Sequence, residues 1–333
     1  MARPARVGTP DVAFDDGVHL LGTVLWFDSP RERDLCFVGH ARSGRVPAHR
    51  KVLCTQATAR LAQRRLARAD LLVSPCSRPF SLGELTIELF PAGHMLGSAS
   101  VLVGHGGRAI VYAGDIHLPG ARTAERAQVR PCDTLVVSCP YGDPALRMPD
   151  REEAEAAVLK WVGRTLDDGA TPVLLADRLG KAQDLLHLLG EAGVPVRTHR
   201  SIHEAMAIYQ EFGRSFPGVR RFRGTPARGE AVVWPIGLRS STSIGRMRRQ
   251  LRIAVCSGRA LFEGSALKRQ YRAQATFPLS CHSGYDALLQ YVRATAPAKV
   301  LLHRGRVKEC AAALQAEGFD AMPLTGPEQL SLV

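Results

Sequence analysis

The pattern that most constrains the fold lies between residues 150 and 213, where helix-like and strand-like segments alternate. "DREEAEAAVLKWVGRTL" carries acidic residues in its first turn and apolar residues at helical spacing, which predicts an amphipathic helix. "TPVLLAD", "GKAQDLLHLLGEAG", "VPVRTH" and "SIHEAMAIYQEFG" then alternate strand and helix, and "RSFPGVRRFRGTPARGE" predicts an irregular basic loop. Such alternation is typical of βαβ units on a parallel sheet. The sequence therefore predicts a Rossmann-like α/β unit here.

The first half of the chain shows a different pattern, in which short β-segments follow one another with brief turns. "VHLLGTVLWFD", "DLCFVGH", "KVLCT" and "LTIELF" predict strands, "SASVLVGHGGRAIVYAGD" predicts a hairpin, and "QATARLAQRRLARA" predicts a helix. The last segments, "YDALLQYVRAT", "AKVLLHRG" and "VKECAAALQAEG", return to helix, strand and helix. We therefore expect an α/β sandwich-like unit that is interrupted by the Rossmann-like insert and completed by the end of the chain.

Several histidines and aspartates lie where predicted strands end. Each follows an apolar run directly or lies in a Gly/Ser-rich turn after one. They are Asp28, His40, His94, Asp115, His282 and His303. Loops at strand ends are where α/β proteins build their sites, and histidine and carboxylate groups suit zinc. Taken singly, each of them is more often a structural histidine or a turn aspartate, so only their order and context make the pattern specific.

That order resembles the metallo-β-lactamase fold. "WFD", "FVGHARSGRVPAHRKVLCTQATARL", "FPAGHMLGSAS" and "VYAGDI" follow the order of that family, in which an H-x-H-x-D-H loop, a later His and a later Asp hold two zinc ions. "SCPYGDP", "GKAQDLLHLLG", "VCSGRAL", "FPLSCHSGYDALL" and "VLLHRG" resemble its β-CASP branch. Within that branch the chain is similar to the bacterial ligase-associated DNA exonucleases, which are mRNA 3′-end processing factor-like.

The resemblance spans nearly the whole chain and implies a domain organisation. It implies a metallo-β-lactamase αββα sandwich with an inserted Rossmann-like β-CASP domain. The sandwich would comprise residues 1–148 and 273–333, and the insert residues 149–272.

The resemblance also implies roles for the residues at the strand ends. Asp28 matches the aspartate that orients the histidine loop, and His282 matches the histidine of an S-D-H-A-D-like catalytic segment. The metal ligands that match are His40, His94, Asp115 and His303.

The histidine loop itself has lost most of its ligands. Arg42 stands where the second histidine belongs, Gly44 replaces the aspartate, and Arg45 replaces the last histidine. Arginine stays protonated up to about pH 12 and has no lone pair to donate. Two-metal hydrolysis needs two cations that clamp the attacking and leaving oxygens. These replacements therefore predict weak or absent zinc binding and impaired catalysis.

The later motifs are altered as well. Ser138 takes the place of the acid in the E-x-T-Y-G-D-P-like segment, and Cys281 and Gly284 replace the aspartates on either side of the matching histidine. The family's terminal H-G has become His303-Arg304-Gly305. Coordinated loss across separate motifs indicates relaxed selection on hydrolysis.

The two loop arginines suggest what replaced the metals. Arg42 and Arg45 could neutralise Asp28 and Asp115 through charge-assisted hydrogen bonds, or bind phosphate bidentately; a solvated loop is the alternative. Ser98 and Ser257 fall where the resemblance places the substrate cleft, and we predict phosphate contacts for them, although isolated G-S and S-G pairs are usually plain turns.

The net charge of +13 and the isoelectric point near 9.8 favour a polyanionic partner. Arginine supplies most of this charge, which could also reflect a GC-rich coding sequence. The eight cysteines contain no C-x-x-C pair, which fits buried thiols in a reducing compartment. No apolar stretch approaches the ~20 residues of a membrane span, and the N-terminus has no apolar signal region, so we expect a cytoplasmic location without a membrane partner.

These observations lead to one expected function and two alternatives. We expect a degenerate, non-catalytic homologue that binds nucleic acid, DNA rather than RNA, or a repair partner such as a DNA ligase. It would use no cofactor, with zinc only if the residual site is occupied. The alternatives are an active metal-dependent DNA exonuclease or phosphodiesterase with a reduced or rebuilt zinc site, and a scaffold that binds only protein.

Overall fold

The protein is a mixed α/β chain with three β-sheets. The computed structural model describes residues 12–42, 48–245, 247 and 250–324. Gly44 and Arg45 therefore lie outside the described residues.

The first sheet holds the earliest strands in chain order. They are β1 (Val12–Phe14), β2 (Val18–Leu20), β3 (Leu25–Phe27), β4 (Leu35–Phe37), β5 (Lys51–Cys54) and β6 (Asp70–Val73), with helix α1 (Gln56–Ala62) after β5. Pairing is antiparallel from β1 to β3 and parallel from β3 to β6. Alternate residues face opposite sides, so Leu25 and Phe27 enter the core between the first two sheets while Trp26 faces outward, beside the residues under α1.

The second sheet combines the predicted hairpin with the end of the chain. Its order is β19 (Ala321–Pro323), β18 (Lys299–Gly305), β11 (Thr134–Cys139), β10 (Arg108–Gly114), β9 (Ala99–His105), β8 (Leu85–Pro91) and β7 (Phe80–Leu82). Helices α7 (Tyr285–Thr295) and α8 (Val307–Ala316) pack on its outer face, and its inner face shares one apolar core with the first sheet. The hairpin prediction is confirmed by the antiparallel β9–β10 pair.

The third sheet is entirely parallel and confirms the predicted strand–helix alternation. Its order is β14 (Val219–Arg221), β13 (Val196–Thr198), β15 (Ala231–Pro235), β12 (Thr171–Ala176), β16 (Leu251–Cys256) and β17 (Ala275–Phe277). Its helices are α2 (Arg151–Asp167), α3 (Lys181–Glu191), α4 (Arg200–Glu211), α5 (Thr242–Gly245) and α6 (Ala260–Tyr271). β17 belongs to this sheet although it lies beyond residue 272, and the division into residues 1–148, 149–272 and 273–333 stays a prediction.

Two local predictions need correction. The helix predicted for "QATARLAQRRLARA" ends at Ala62, because the buried positions of α1 stop there and turns complete the segment. The predicted basic loop contains the edge strand β14, whose two arginines are exposed while its backbone pairs with β13. Among the described helices, none is long and apolar enough to cross a membrane.

Candidate functional site

Asp28 connects the ends of three strands. It follows β3 with a positive φ of 44°. Its Oδ1 accepts a hydrogen bond from the backbone N–H of Gly39 at 2.9 Å, and its Oδ2 accepts one from the Tyr112 hydroxyl at 3.0 Å. Because Gly39 immediately precedes His40, the Asp28 carboxylate fixes the start of the histidine loop against β10.

Three imidazole rings surround one carboxylate at the strand ends. His40 Nε2 lies 3.1 Å and His282 Nε2 lies 3.5 Å from Asp115 Oδ2. The His94 ring centroid lies 4.6 Å from that of His40 and 4.5 Å from that of His282. We call these four residues the histidine cluster. His282 is separated from its nearest partner in sequence by more than half the chain, so the predicted site residues are brought together by the fold.

His94 has one nitrogen bonded and the other free. Its Nδ1 donates to the Cys281 carbonyl at 2.6 Å, while its Nε2 has no hydrogen-bond partner among the described residues although the side chain is 0% exposed. Burial, followed by the neighbouring histidines His282 and His40, holds the pKa of His94 well below its usual range. The ring is therefore neutral, with its Nε2 lone pair directed into a water-poor site.

Ser98 is buried and shapes the loop that carries His94. Its Oγ accepts hydrogen bonds from the backbone N–H groups of His94 and Met95, at 3.0 and 3.1 Å, and the side chain is buried. The predicted phosphate contact by Ser98 stays a prediction, for a buried side chain whose oxygen accepts two hydrogen bonds from the backbone.

Asp115 is held in its ionised form by its neighbours. Burial alone would raise its pKa, but the charge and hydrogen bonds of His282, together with those of His40, hold the pKa of this carboxyl well below its usual range. Its other oxygen, Oδ1, accepts a short hydrogen bond from the hydroxyl of Ser138, which also lies 2.8 Å from the Gly114 carbonyl. The serine that replaces the family's acid therefore donates to a carboxylate that a second acid would repel.

His303 and Arg304 form the other side of the site. His303 is buried, its Nε2 has no partner in the part of the chain that the structure describes, and burial and the Arg304 charge lower its pKa to about 4. Arg304 has a positive φ of 60°, and its guanidinium donates to the Asp28 carbonyl at 3.2 Å. Desolvation opposes its charge, but electrostatic interactions with the neighbouring Tyr112, Asp28 and Asp115 raise its pKa. The arginine that came to lie beside the site is thus Arg304, which the sequence analysis noted only as a departure from H-G.

Arg42 is directed elsewhere. Its guanidinium donates to Asp177 Oδ2 at 3.1 Å and to the Leu179 carbonyl at 3.4 Å, so the predicted pairing with Asp28 or Asp115 is wrong for this residue. Lys181 Nζ donates to the same Asp177 oxygen at 2.9 Å. Arg42 thereby ties the histidine loop to the carboxyl end of β12 and the start of α3.

Comparison with known proteins gives relatives over the whole chain and over its parts. The chain is 32% identical over 325 residues to a protein described as "Probable DNA ligase" from Opitutus terrae, covering 97% of this chain and 32% of that protein. It is 28% identical over 138 residues to an "RNase J-like protein" from Methanocaldococcus jannaschii (39% of this chain, 33% of that protein). It is 33% identical over 138 residues to "Transcription termination factor FttA" from the same organism (38% and 22%).

The chain belongs to the metallo-β-lactamase/β-CASP family. No protein-family model matches it. The chain spans a third or less of the length of these relatives.

The family's pair of zinc ions would require a set of donor atoms on each side of the site. On the side of His40 and His94, three potential ligand atoms, including one from Asp115, lie within 4.8 Å of one another, and the free, buried Nε2 of His94 requires a partner. On the side of His303, the described residues supply that imidazole and Asp115, with a guanidinium nearby, which is too few donors for a four-coordinate zinc. The site therefore fits one ion and does not fit the pair.

Ser257 reaches the site only through Tyr141. Its Oγ accepts a hydrogen bond from the backbone N–H of Arg259 at 3.3 Å. A Cβ on Gly258 would lie 2.3 Å from the Tyr141 hydroxyl, and the Tyr141 ring lies 6.2 Å from that of His282. The predicted phosphate contact by Ser257 stays a prediction, since its side chain is one aromatic ring away from the cluster.

An exposed aromatic residue with a neighbouring arginine lies beside Tyr141. Phe262 is 40% exposed, and its ring centroid lies 6.4 Å from that of Tyr141. The Arg306 guanidinium lies 5.4 Å from the centroid of the Phe262 ring. Arg304, two residues before Arg306, is also exposed. We call Phe262 and Arg306 the basic rim. Phe262 could not be identified from the sequence, because an aromatic residue in "GRALFEG" gives no signal of exposure.

Proposed function

We propose that this protein is a non-catalytic nucleic-acid-binding member of its family. It would have the αββα sandwich and inserted Rossmann-like β-CASP domain that the resemblance implies, and would prefer DNA to RNA. The observation that carries the proposal is the composition of the second metal position, where the described residues offer His303 and Asp115 as donors and the Arg304 guanidinium is hydrogen-bonded to the nearby Asp28 carbonyl.

Phosphodiester hydrolysis by this family would depend on a pair of metal ions. Two cations would clamp the attacking and leaving oxygens and lower the pKa of the attacking water. A guanidinium can bind a phosphate oxygen, but it cannot activate water because it has no lone-pair acceptor and no open coordination position. The site can therefore hold a phosphate without the means to cut it.

The basic rim supplies the chemistry for a nucleic-acid strand. A guanidinium such as that of Arg306 binds phosphate bidentately, and an exposed ring such as that of Phe262 offers a base-stacking surface worth about 1–3 kcal/mol per base. The net charge of +13 adds a long-range attraction.

A DNA ligase is the proposed protein partner. The relative from Opitutus terrae is described as a probable DNA ligase, and this chain matches about a third of its length. In that protein the matching part is covalently joined to the remainder. We propose that this chain makes the corresponding association with a DNA ligase.

Fluorescence anisotropy with a labelled single-stranded DNA tests the binding. We expect the logarithm of the binding constant to fall linearly with the logarithm of salt concentration between about 50 and 300 mM, and Arg306→Gln and Arg304→Gln each to reduce this slope by about 1. Arg200→Gln is the matched control, since Arg200 is exposed and pairs with Glu204 on α4. Salt-independent or absent binding would instead favour a protein-binding scaffold.

The same DNA tests the absence of catalysis. Incubated with zinc or manganese, it should stay at full length on a denaturing gel. Metal-dependent shortening that His94→Ala abolishes would overturn the proposal in favour of an active exonuclease.

A further inference from the structure

We propose that a cavity at the amino-terminal edge of the first sheet binds an extended, acidic peptide segment of a partner protein. The cavity has a volume of about 710 Å³, and its lining includes Val24, Glu32, Asp34, His49, Arg50 and Arg68. We call it the strand-start cavity. Its volume lies within the range of about 300–1,000 Å³ that ligand sites occupy. This inference goes beyond the proposed function, since it assigns a protein-binding site apart from the basic rim.

The strand-start cavity lies at the opposite edge of the first sheet from the histidine cluster. Its lining residues at 23–24, 32–34 and 48–50 directly precede β3, β4 and β5, and Arg68 comes two residues before β6. Because β3 to β6 pair in parallel, their starts meet at one edge of the sheet. Asp28 and His40 follow the other ends of β3 and β4. The cavity is therefore a separate site.

His49 brings an unpaired hydrogen-bond donor to the cavity. Its side chain is 1% exposed, and its Nδ1 accepts a hydrogen bond from the Arg33 backbone N–H at 3.2 Å, which places the ring proton on Nε2. That Nε2 has no hydrogen-bond partner among the residues that the structure describes. Buried polar groups without a partner are rare, because they cost free energy. A carboxylate oxygen of a bound molecule would accept this proton and remove the cost.

Two arginines near His49 supply positive charge. Arg68 is exposed, and within the described ranges no hydrogen bond or ion pair engages its guanidinium. Arg50 lies 4.0 Å from Asp34, and solvent weakens this pair because the two side chains are 73% and 76% exposed. The Asp70 backbone N–H donates to the Arg50 carbonyl at 2.8 Å, which places the segment that carries Arg68 next to Arg50. Guanidinium groups bind carboxylates through strong, charge-assisted hydrogen bonds, so these arginines suit an acidic ligand.

Other lining residues favour a peptide over a nucleic-acid strand. Glu32 and Asp34 are exposed and would repel the successive phosphates of a strand. A peptide also carries backbone N–H groups, which such carboxylates accept. Val24 is 62% exposed and offers an apolar surface to a side chain next to the acidic one. The cavity therefore matches an acidic segment with an apolar neighbour better than a uniform polyanion.

The tryptophan of the cavity is already covered. The Trp26 ring stacks on His19 with centroids 4.1 Å apart, and the Arg33 guanidinium lies 3.3 Å from the Trp26 centroid. A nucleobase could stack on Trp26 only by displacing one of these groups. The cavity thus lacks the free aromatic face that single-strand binding sites use.

Selection from a library of short random peptides displayed on phage, with the full chain as the target, tests this inference. We expect the enriched peptides to carry Asp or Glu beside an apolar residue. Labelled and measured by fluorescence anisotropy, they should bind at least about 10-fold more weakly when Arg50→Gln and Arg68→Gln are combined, since two charge-assisted contacts are lost. Arg200→Gln is the matched control and should leave the affinity unchanged, because Arg200 is exposed and pairs with Glu204 on α4.

Two further measurements link the peptide to the cavity. Exchanging the acidic residue of the peptide for its amide should cost about as much as the double substitution, and combining the two changes should cost little more. His49→Phe keeps an aromatic ring but removes the donor, and should also weaken binding at least about 10-fold. Circular dichroism establishes that each variant is folded. Both arginines are exposed, so their double variant tests the site even where His49→Phe does not fold.

Three results would contradict the inference. A library that enriches no acidic peptide would remove the proposed ligand, and enriched peptides that bind the double variant as tightly as the wild type would place the contact elsewhere. Single-stranded DNA that displaces the peptide, and itself binds the double variant more weakly, would assign the cavity to phosphate. The DNA-binding test of Arg304 and Arg306 uses other residues, so the proposed function and this site can fail independently.

Discussion

Asp177→Asn is expected to destabilise the protein far more than an ordinary surface substitution. One oxygen of Asp177 accepts hydrogen bonds from both Arg42 and Lys181, and the Lys181 side chain is only 9% exposed. Removing one partner of a fully buried ion pair costs about 3–5 kcal/mol, because the remaining charge is left uncompensated. Asp177 is itself 38% exposed, so solvent screening reduces the expected loss to about 2 kcal/mol.

A double-mutant cycle separates this mechanism from a general loss of packing. Lys181→Met removes the charge that Asp177→Asn leaves unpaired, so Asp177→Asn should cost about 1 kcal/mol less in the Lys181→Met background. Asp168→Asn is the control, since Asp168 pairs with Arg252 at the surface and is 54% exposed. Its cost should stay within about 0.5 kcal/mol.

The pH dependence of the Asp177→Asn effect has a defined sign. Burial raises the pKa of Asp177, but Lys181 and Arg42 outweigh it and hold the pKa below its ordinary value. The group therefore contributes stability above its unfolded pKa of about 3.9, and this contribution is lost as the pH falls through the folded value. The difference between wild type and variant should be constant from about pH 7 to pH 5 and shrink below about pH 4.

Urea unfolding followed by tryptophan fluorescence and circular dichroism measures these differences. If Asp177→Asn costs no more than Asp168→Asn, or if the cycle with Lys181→Met is additive, then Asp177 does not stabilise the protein by neutralising Lys181.

Three further substitutions have definite expected outcomes. Phe262→Ala should weaken single-stranded DNA binding by about 5- to 100-fold in the anisotropy assay, the equivalent of about 1–3 kcal/mol for one lost stacking contact; an unchanged affinity would remove Phe262 from the interface. Gly93→Ala should lower the unfolding free energy by at least about 2 kcal/mol, because the φ of Gly93 is 76° and the new Cβ would lie 2.3 Å from the His117 carbonyl oxygen. A thermal melt equal to that of the wild type would contradict this. His49→Asn should reduce the loss of stability on going from about pH 7 to pH 5. Burial lowers the pKa of His49, whose neutral Nδ1 accepts a hydrogen bond from the Arg33 backbone N–H. In the wild type this contribution is present above the unfolded pKa of about 6.5 and lost below it, and equal pH profiles of the two proteins would refute the assignment.

The fold was largely predictable because most of its elements have strong local patterns. The apolar periodicity of α2 and α3, and the alternation through β9 and β10, are set by neighbours in sequence. Helix α6 was not predicted, because it contains Gly264 and buries Leu267 alone along its length, which leaves little apolar periodicity. Its packing against the third sheet holds it in place, and tertiary contacts of this kind leave little trace in a short window of sequence.

The site was predictable in its residues and not in its pairings. Asp28, His40, His94 and Asp115 could be found from their positions at strand ends. Their proximity depends on tertiary packing, because β3 and β4 belong to the first sheet and β8 and β10 to the second. The partner of Arg42 could not be found, since Asp177 is separated from it by 135 residues and ordinary in its sequence context. Side chains as long as arginine can reach several partners, and only the packed fold selects among them.

Anomalous diffraction from crystals grown with zinc is the most direct test of the central claim, that one metal position survives and an arginine lies at the other. We expect one peak, between His40, His94 and Asp115, with the Arg304 guanidinium beside His303. A second peak next to His303 would contradict it, because a pair of ions would restore the hydrolytic centre that the replaced ligands are inferred to have removed.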